Sequence, residues 1–583
     1  MELAPGTDAG ALARKLPAFL QKYMGKDAAK HFELFLQPLG EVHGGSADIT
    51  HDANNHRKFE RRYTYLFVAL ALAVLGIAVL NFINLSTARA AQRAKEVGIR
   101  KTVGAFRMQI AGQFVGESVL LSGLALVLAL VLVYLALPLA RTLSERDLQL
   151  PLFTNPWLVP VGLAATVGVG VLSGLYPAAF LSAFGPAQVL KGAGPGAGKK
   201  ATFRNLLVVG QFAAGILLLI GTIVSTRQVR YMLHRDPGFD REQVMVMTMD
   251  MDPLDGQLYQ TLRQELLRQP GVTDVTASGQ RLGNNLHQTI AAFRGDGPLR
   301  TLNVSQLVAS ANYLTFYKIA VVAGRGFSPA PAANSRKEYV INESLARELL
   351  GNAPGRPYAS LIGKPFGFGA DNADGTLMGV VRDFHFNSLH HKVEPLAIVA
   401  AAKVGYGEVS VRVAAGQAPA AIRRAEALWR RLVPTQPFEY AFLDDHFGQL
   451  YRADAQVSQV VALLAGLAIL IACLGLFGLA LYTTQRRTRE IGIRKVFGAS
   501  VGSLVALLSG DFLKLVVVAF LLAAPVAWWA LRAWLDQFAY RIPVGWWPFA
   551  LAGLLAVGVA WLTVAFQSIR AARTNPVNSL RSE

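Results

Sequence analysis

Apolar positions along this chain fall into long unbroken runs near both ends and into short ones in the middle. Charge-free runs cover Tyr63–Ala88, Ser118–Ala140, Leu148–Leu190, Asn205–Thr226, Ala455–Gln485, Leu515–Leu531 and Ile542–Ser568. A helix needs roughly 20 predominantly apolar residues to cross a bilayer, so the pattern predicts seven transmembrane helices. The run from Leu148 exceeds one crossing, and its apolar centre lies near Trp157–Leu181. The run at Leu515 is short, but apolar positions continue N-terminally past Asp511 and Lys514. Residues 227–454 differ: Pro, Gly and Asn punctuate β-rich runs such as "LMGVV" and "VSVRV", and no stretch has spanning length. That predicts a water-exposed domain of mixed α and β structure between two membrane blocks.

Composition agrees. With 52% hydrophobic and 16% charged residues and a mean hydropathy of +0.35, the chain is too apolar for an ordinary soluble enzyme. Its net charge of +19 sits mostly in the membrane blocks, since residues 1–62 hold nine Lys/Arg against eight Asp/Glu and residues 227–454 hold 25 against 22. The excess cations belong to loops between helices, which argues against a nucleic-acid partner. One cysteine, Cys473, lies inside a predicted helix, so no disulfide framework forms within the chain.

Cations in short loops mark the cytoplasmic face. Arg89, Arg93, Lys95, Arg100, Lys101 and Arg107 follow the first run; Lys191, Lys199, Lys200 and Arg204 follow the third. Arg486, Arg487, Arg489, Arg494 and Lys495 follow the fifth, and Arg570, Arg573 and Arg581 lie in the tail. The alternating loops hold only Arg141, Arg146, Arg532 and Arg541. This places the large domain and residues 1–62 outside and the C-terminus inside, in a multi-pass membrane protein. No signal peptide or spanning run precedes Tyr63 to carry residues 1–62 across, so the expectation is that the functional form begins further upstream.

The segment "EVGIRKTVGA" (Glu96–Ala105) returns as "EIGIRKVFGA" (Glu490–Ala499), seven of ten positions identical at an offset of 394. Gly116–Glu117 matches Gly510–Asp511 at the same offset, and each block closes on a basic, Pro-containing segment, "FGPAQVLK" and "TNPVNSLR". Duplicated three-helix blocks predict a pseudo-twofold membrane protein. The domain adds "VINESLAREL", "LIGKPF" and "GVVRDFHFNSLHHKVEPL", and the N-terminal region adds "LQPLGEVHGG".

In these segments the chain resembles FtsX-like/MacB-type permeases of ABC transporters, in the form with two units in one chain. The resemblance covers nearly the whole length, except that the first helix and most of the first periplasmic domain of such a pair are not matched. The implied fold is a polytopic α-helical membrane protein with a MacB-like α+β periplasmic core. Residues 1–62 would be the remnant of a first periplasmic domain, 63–190 the first block, 191–204 a cytoplasmic basic linker, 205–226 a single span, 227–454 the periplasmic core, and 455–583 the second block and tail. The implied location is the bacterial inner membrane. The implied partners are an ABC ATPase dimer at the cytoplasmic face, membrane lipids, and a periplasmic adaptor or substrate protein. The chain itself would hold no cofactor, ATP and Mg being bound by the ATPase, and would have no catalytic residue.

The repeated segment has a physical reading of its own. A short amphipathic helix with Ile99 and Val103 at i, i+4 would lie along the inner membrane surface. Gly98 and Gly104 would allow close approach or a sharp turn, and Arg100 and Lys101 would face a protein or lipid head groups. By resemblance, Glu96, Gly98, Arg100, Lys101 and Gly104, with Glu490, Gly492, Arg494, Lys495 and Gly498, contact the ATPase dimer. The alternative is a pair of ordinary positive-inside loops. Glu117 and Asp511 are expected to form salt bridges or position helices, with a proton relay as the alternative.

Two motifs are discounted. "KGAGPGAGKKATF" (Lys191–Phe203) lacks the first Gly and the Ser/Thr of a phosphate loop and follows a membrane run instead of a strand; it reads as a flexible linker. In "DFHFNSLHHKVEP", His390 and Glu394 would share a helical face and so form a metal site, but the Pro and extended flanks oppose a helix there. The function implied is a permease that couples a separate ATPase to movement of its outer domain, for export or for lipoprotein or peptide handling. The rivals are a non-transporting scaffold that activates an outer partner such as a cell-wall hydrolase, and an ion-coupled transporter that needs no ATPase.

Overall fold

The computed structural model describes residues 3–24, 33–42, 44–45, 61–90, 93–144, 147–151, 154–182, 197–248, 256–329, 336–351, 357–370, 372–400 and 405–573. The chain divides into a small unit, Met1–Val68, and a large one, Ala69–Glu583. The small unit holds three short helices, α1 (Ala9–Ala13), α2 (Leu16–Met24) and α3 (Leu39–Val42), and the start of α4 (Arg61–Ala90). Leu20 is its buried residue, and Phe19 packs on Tyr23 at 4.7 Å.

Within the large unit follow α5 (Ala94–Thr102), α6 (Arg107–Ser144), α7 (Leu158–Ser182) and α8 (Ala197–His234). Beyond the central domain come α14 (Arg452–Arg486), α15 (Thr488–Val496), α16 (Val501–Leu535) and α17 (Trp547–Arg573). Seven of these helices, α4, α6, α7, α8, α14, α16 and α17, are long and apolar enough to cross a membrane. Their ends run past the apolar runs: α6 starts at Arg107, ahead of Ser118, and α8 continues from Thr226 to His234. The linker expected at 191–204 is already helical from Ala197, because past Gly196 the sequence loses its Pro and holds helix-tolerant Ala, Lys and Arg. The rest of that linker, "FGPAQVLK" and "TNPVNSLR" lie outside the described residues.

Small residues set the helix packing. Ala519, Ala523 and Ala527 of α16 and Ala552, Ala556 and Ala560 of α17 repeat every four residues and are buried, as close helix approach in lipid requires. α8 and α14 complete this bundle around one apolar core. In the first block α7 lies against α6 through Gly170 and Gly174, where an added Cβ would sit 2.7 Å from the Val119 Cα and 3.0 Å from the Val115 Cα. α4 meets α14 in a tighter seam: a Cβ at Gly475 would overlap Asn81, and one at Gly478 would overlap Leu85. Asn81 and Gly475 are 394 apart, so the two repeats touch at equivalent positions. The buried side-chain amides of Asn84 and Gln211, and the Asn81 side-chain oxygen, find no hydrogen-bond partner among the described residues. Each unmet group costs about 1–3 kcal/mol, so shape and not polar pairing closes the seam.

The central domain alternates strands β1 (Val244–Thr248), β2 (Val272–Ser278), β3 (Gln288–Phe293), β4 (Arg300–Ala309), β5 (Val321–Gly324), β6 (Lys337–Asn342), β7 (Pro365–Phe368), β8 (Gly375–Val381), β9 (Leu396–Ala400), β10 (Glu408–Val413) and β11 (Glu439–Phe442) with helices α9 (Gly256–Leu267), α10 (Tyr313–Phe316), α11 (Glu343–Leu349), α12 (Ala418–Leu432) and α13 (Leu443–Leu450). The strand order is β11-β1-β10-β2-β4-β3-β7-β8-β6-β9, and β9 pairs back onto β4 in parallel, from Ser305 opposite Leu396 to Ala309 opposite Ala400. Six strands therefore close on themselves, which removes two exposed edges. The helix α12 shows why its sequence folds so: Pro419 sits in its first turn, and Ala421, Ala425, Leu428 and Trp429 form one buried stripe against β1, β2 and β10.

Gly170→Leu forces backbone apart and is expected to destabilise the fold by about 1–3 kcal/mol, whereas Gly162→Ala, with nothing within 4 Å, is expected to be neutral or mildly stabilising. Thermal unfolding of the purified protein in nanodiscs measures both.

Candidate coupling elements at the helix ends

The repeated segments form α5 and α15, one after α4 and one after α14. Each stops in the same way. After α5, Gly104 N–H donates to Lys101 O at 3.2 Å and Ala105 N–H to Arg100 O at 3.0 Å; after α15, Gly498 N–H donates to Lys495 O and Ala499 N–H to Arg494 O, both at 3.0 Å. That pair of bonds is a Schellman cap, whose left-handed residue favours glycine. Gly104 has φ +104° and Gly498 φ +87°, so both glycines are backbone requirements.

The charged residues are internally paired. Glu96 and Arg100, one turn apart, lie at 2.8 Å, and Glu490 and Arg494 at 2.9 Å. A second contact fixes each short helix to the long helix that follows: Arg93 reaches Glu117 of α6 at 2.8 Å, and Arg487 reaches Asp511 of α16 at 3.5 Å. In the first copy the contacts close a ring. Arg93 also pairs with Glu96 at 3.3 Å, Arg100 donates to Gln113 at 2.7 Å, and Gln113 donates to Glu117 at 3.0 Å. The hydrogen bond to Glu117 raises the Arg93 pKa further above its ordinary value. Leu507 stands at the position equivalent to Gln113, so the second copy has no amide there to close such a ring.

The apolar face differs from expectation. Val103 lies beyond the last turn and is exposed, and Ile99 is half exposed. Val97 is buried instead, against Ile110, Phe114 and Ala178; its equivalent Ile491 is buried against Leu504 and Leu508. The glycine-capped stop takes Val103 off the helix, and the staple from Arg93 turns Val97 inward. Of the other candidates, Gly98 and Gly492 lie mid-helix, with Gly492 buried, and Lys101 is half buried with its pKa lowered by burial and by Arg107. Lys495 is half buried as well. Sequence reading missed Arg93, Arg487, Gln113, Val97 and Ile491 as structural residues. The shared offset of 394 between Arg93 and Arg487 was the available signal.

At the other end of the bundle, His390 and Glu394 do not share a helix. His390 lies 3.2 Å from Asp454, and Glu394 accepts from Ser305 at 3.3 Å. No group of three or more His, Cys, Asp or Glu side chains suited to a metal occurs among the described residues.

Duplicated helical blocks with matched short helices, with a folded β-rich domain between two candidate spans, make up a polytopic membrane architecture. The model of the FtsX-like permease C-terminal family matches residues 68–186 and again 462–576, two matches whose starts are 394 apart. The model of the MacB-like periplasmic core domain matches residues 207–427. The chain belongs to the FtsX/MacB-type ABC permeases. Among curated relatives, the macrolide export ATP-binding/permease protein MacB of Campylobacter jejuni is 31% identical over 127 residues, 22% of this chain and 19% of that protein. The pyoverdine export ATP-binding/permease protein PvdT of Pseudomonas putida is 24% identical over 412 residues, 63% of this chain and 57% of that one. The chain thus matches about a fifth of the first relative's length and just over half of the second's. Among solved structures, the periplasmic region of MacB from Actinobacillus actinomycetemcomitans aligns at 14% identity and TM-score 0.27, covering 37% of this chain and 94% of that one. The extracellular domain of the transporter YknZ from Gram-positive bacteria aligns at 16% identity and TM-score 0.25, covering 34% and 97%.

Gly104→Ala and Gly498→Ala are each expected to cost about 1–2 kcal/mol, the penalty of a left-handed L-residue. Gly112→Ala, inside α6 with nothing within 4 Å, is expected to stabilise. The thermal midpoints of the three variants check this.

Proposed function

We propose that this chain is the membrane subunit of an ABC exporter in which α5 and α15 receive movement from a separate ATPase dimer and the bundle passes it to the outer domain. The observation that carries this is the doubled joint. Each short helix has the same internal Glu–Arg pair, the same glycine stop and an arginine staple to the next long helix. A free loop would absorb a push; a capped helix tied to α6 or α16 passes it on. Two equivalent joints suit a twofold partner.

The outward faces of these helices are apolar and cationic together. Ile99 and Arg100 are exposed on α5, with Val103, Phe106 and Met108 exposed just past its end, and Ile493, Arg494 and Val496 are exposed on α15, with Phe497 just past it. Such a face fits a protein groove with an acidic rim. On this reading α5, α15 and the C-terminus lie on the cytoplasmic side of the bacterial inner membrane and the β-rich domain outside, which the cation-rich loops support. ATP and Mg then belong to the partner, and this chain holds no cofactor. Outside, the domain engages an adaptor or the exported substrate, so the substrate needs no polar tunnel through the bundle.

A pull-down of the tagged protein from native membranes tests this, with Arg100→Glu/Arg494→Glu beside the wild type and ATPase activity assayed in the eluate. ATPase activity is expected with the wild type and at least tenfold less with the double variant, with the double variant still folded by its thermal unfolding transition. A folded wild type that brings down no ATPase, or a double variant that brings down as much, would contradict the proposal.

A further inference from the structure

Where the sheet domain meets the bundle, a loop of the domain enters the packing of the membrane helices. Leu389, between β8 and β9, is buried in the same apolar core as Met232 of α8, Tyr451 before α14, and Leu535, Phe538 and Ile542 at the end of α16 and after it. Its N–H donates to the Tyr451 hydroxyl at 2.9 Å, a buried bond. Next to it, His390 Nε2 lies 3.2 Å from the buried Asp454 carboxylate in the first turn of α14, and His390 Nδ1 meets Ser388 Oγ at 2.8 Å. The His390 ring packs on Phe538 at 5.1 Å and Tyr451 at 6.0 Å, and its carbonyl accepts from Ala539 N–H at 3.3 Å.

A second set of contacts runs alongside. His385 packs edge-on against Tyr540 at 4.5 Å, and Arg235, just past the end of α8, covers the same ring at 4.5 Å. Gln228 of α8 donates to Tyr540 O at 2.9 Å and accepts from Ile542 N–H at 3.0 Å. Serine, histidine and aspartate are the residue types of a hydrolytic relay. Here, however, the Ser388 bond stays within the loop and the Asp454 bond ties the loop to α14, and aromatic rings lie against the imidazole, so the arrangement positions and does not react.

Connectivity gives this contact its importance. α8 and α14 continue directly into the domain, but α16 and α17 have no chain connection to it. α16 is also the helix that Arg487, the residue that caps the start of the short helix α15, staples through Asp511. The geometry points to the 383–391 loop as the joint through which movement of α16 reaches the outer domain, with His390 and Asp454 as its positioning residues. The route runs from α15 to α16, from the Phe538–Ile542 turn to the 383–391 loop, and from there to β8 and β9. This rests on the transmission proposed above.

The test compares wild type, His390→Ala, Asp454→Asn and His390→Arg, which keeps a cation facing Asp454. Without nucleotide, amide exchange over 385–391 is expected to rise at least tenfold in the first two variants and not in His390→Arg, with β1 amides unchanged. With the partner ATPase in nanodiscs, ATP hydrolysis is expected to stay within twofold of wild type. The ATP-dependent displacement of the outer domain, measured by spin-label distances, is expected to fall by more than half in His390→Ala and Asp454→Asn and to persist in His390→Arg. Unchanged exchange, or full displacement in His390→Ala, would overturn the joint. A wild type without ATP-dependent displacement would overturn the transmission reading and the role of the joint with it, whatever the exchange result.

Discussion

Hydrocarbon supplies no hydrogen-bond partners, and that constraint orders everything else in this structure. Backbone N–H and C=O groups in a bilayer must be satisfied within their own segment, so the crossing parts are helices and the β-rich domain stays between them in sequence and beyond them in space. Apolar helices of this kind hold together by shape, as the alanine stripes of α16 and α17 and the glycines of α7 and α14 do. They have little freedom to make or break polar contacts at depth. Polar joints therefore gather at the helix ends, where charge and water are available.

The ends divide the work. On one side, capped short helices are tied by arginine to the long helices that follow them. On the other, one loop of the sheet domain is tied through Leu389 and His390 to Tyr451 and Asp454 at the start of α14, and through His390 to Phe538 and Ala539 in the turn after α16. Between these joints lie long, closely packed helices that are suited to moving as bodies. The α4–α14 seam is the exception. It packs tightly around amides that find no partner, so it combines close contact with an unmet polar requirement.

Much of this was legible in the sequence. Spanning helices announce themselves because burial on all sides leaves no polar face, and all seven were visible as charge-free runs. Their ends were not, since α6 and α8 keep helical hydrogen bonds through Arg107–Glu117 and Gln228–His234, where the residues are polar but the helix continues. The repeat at an offset of 394 located α5 and α15 and marked Glu117 and Asp511 as partners for charge. It did not reveal which apolar residue faces inward, because Ile99 and Val103 lie at helical spacing in sequence while the glycine cap removes Val103 from the helix. The role of "DFHFNSLHH" was invisible for another reason: its partners, Asp454 and Phe538, are supplied by distant parts of the chain, and no local pattern encodes them.

In the proposed coupling an ATPase drives this protein at two points, α5 and α15. Val103 and Phe497 are repeat equivalents at the ends of those helices and are 84% and 86% exposed. The decisive measurement is the distance between spin labels at Val103→Cys and Phe497→Cys in a Cys473→Ala background, in nanodiscs with the co-purified ATPase, with and without ATP. ATP is expected to change that distance by more than the ~1–2 Å of a small helix shift. An identical distance distribution while the ATPase binds and hydrolyses ATP would contradict it.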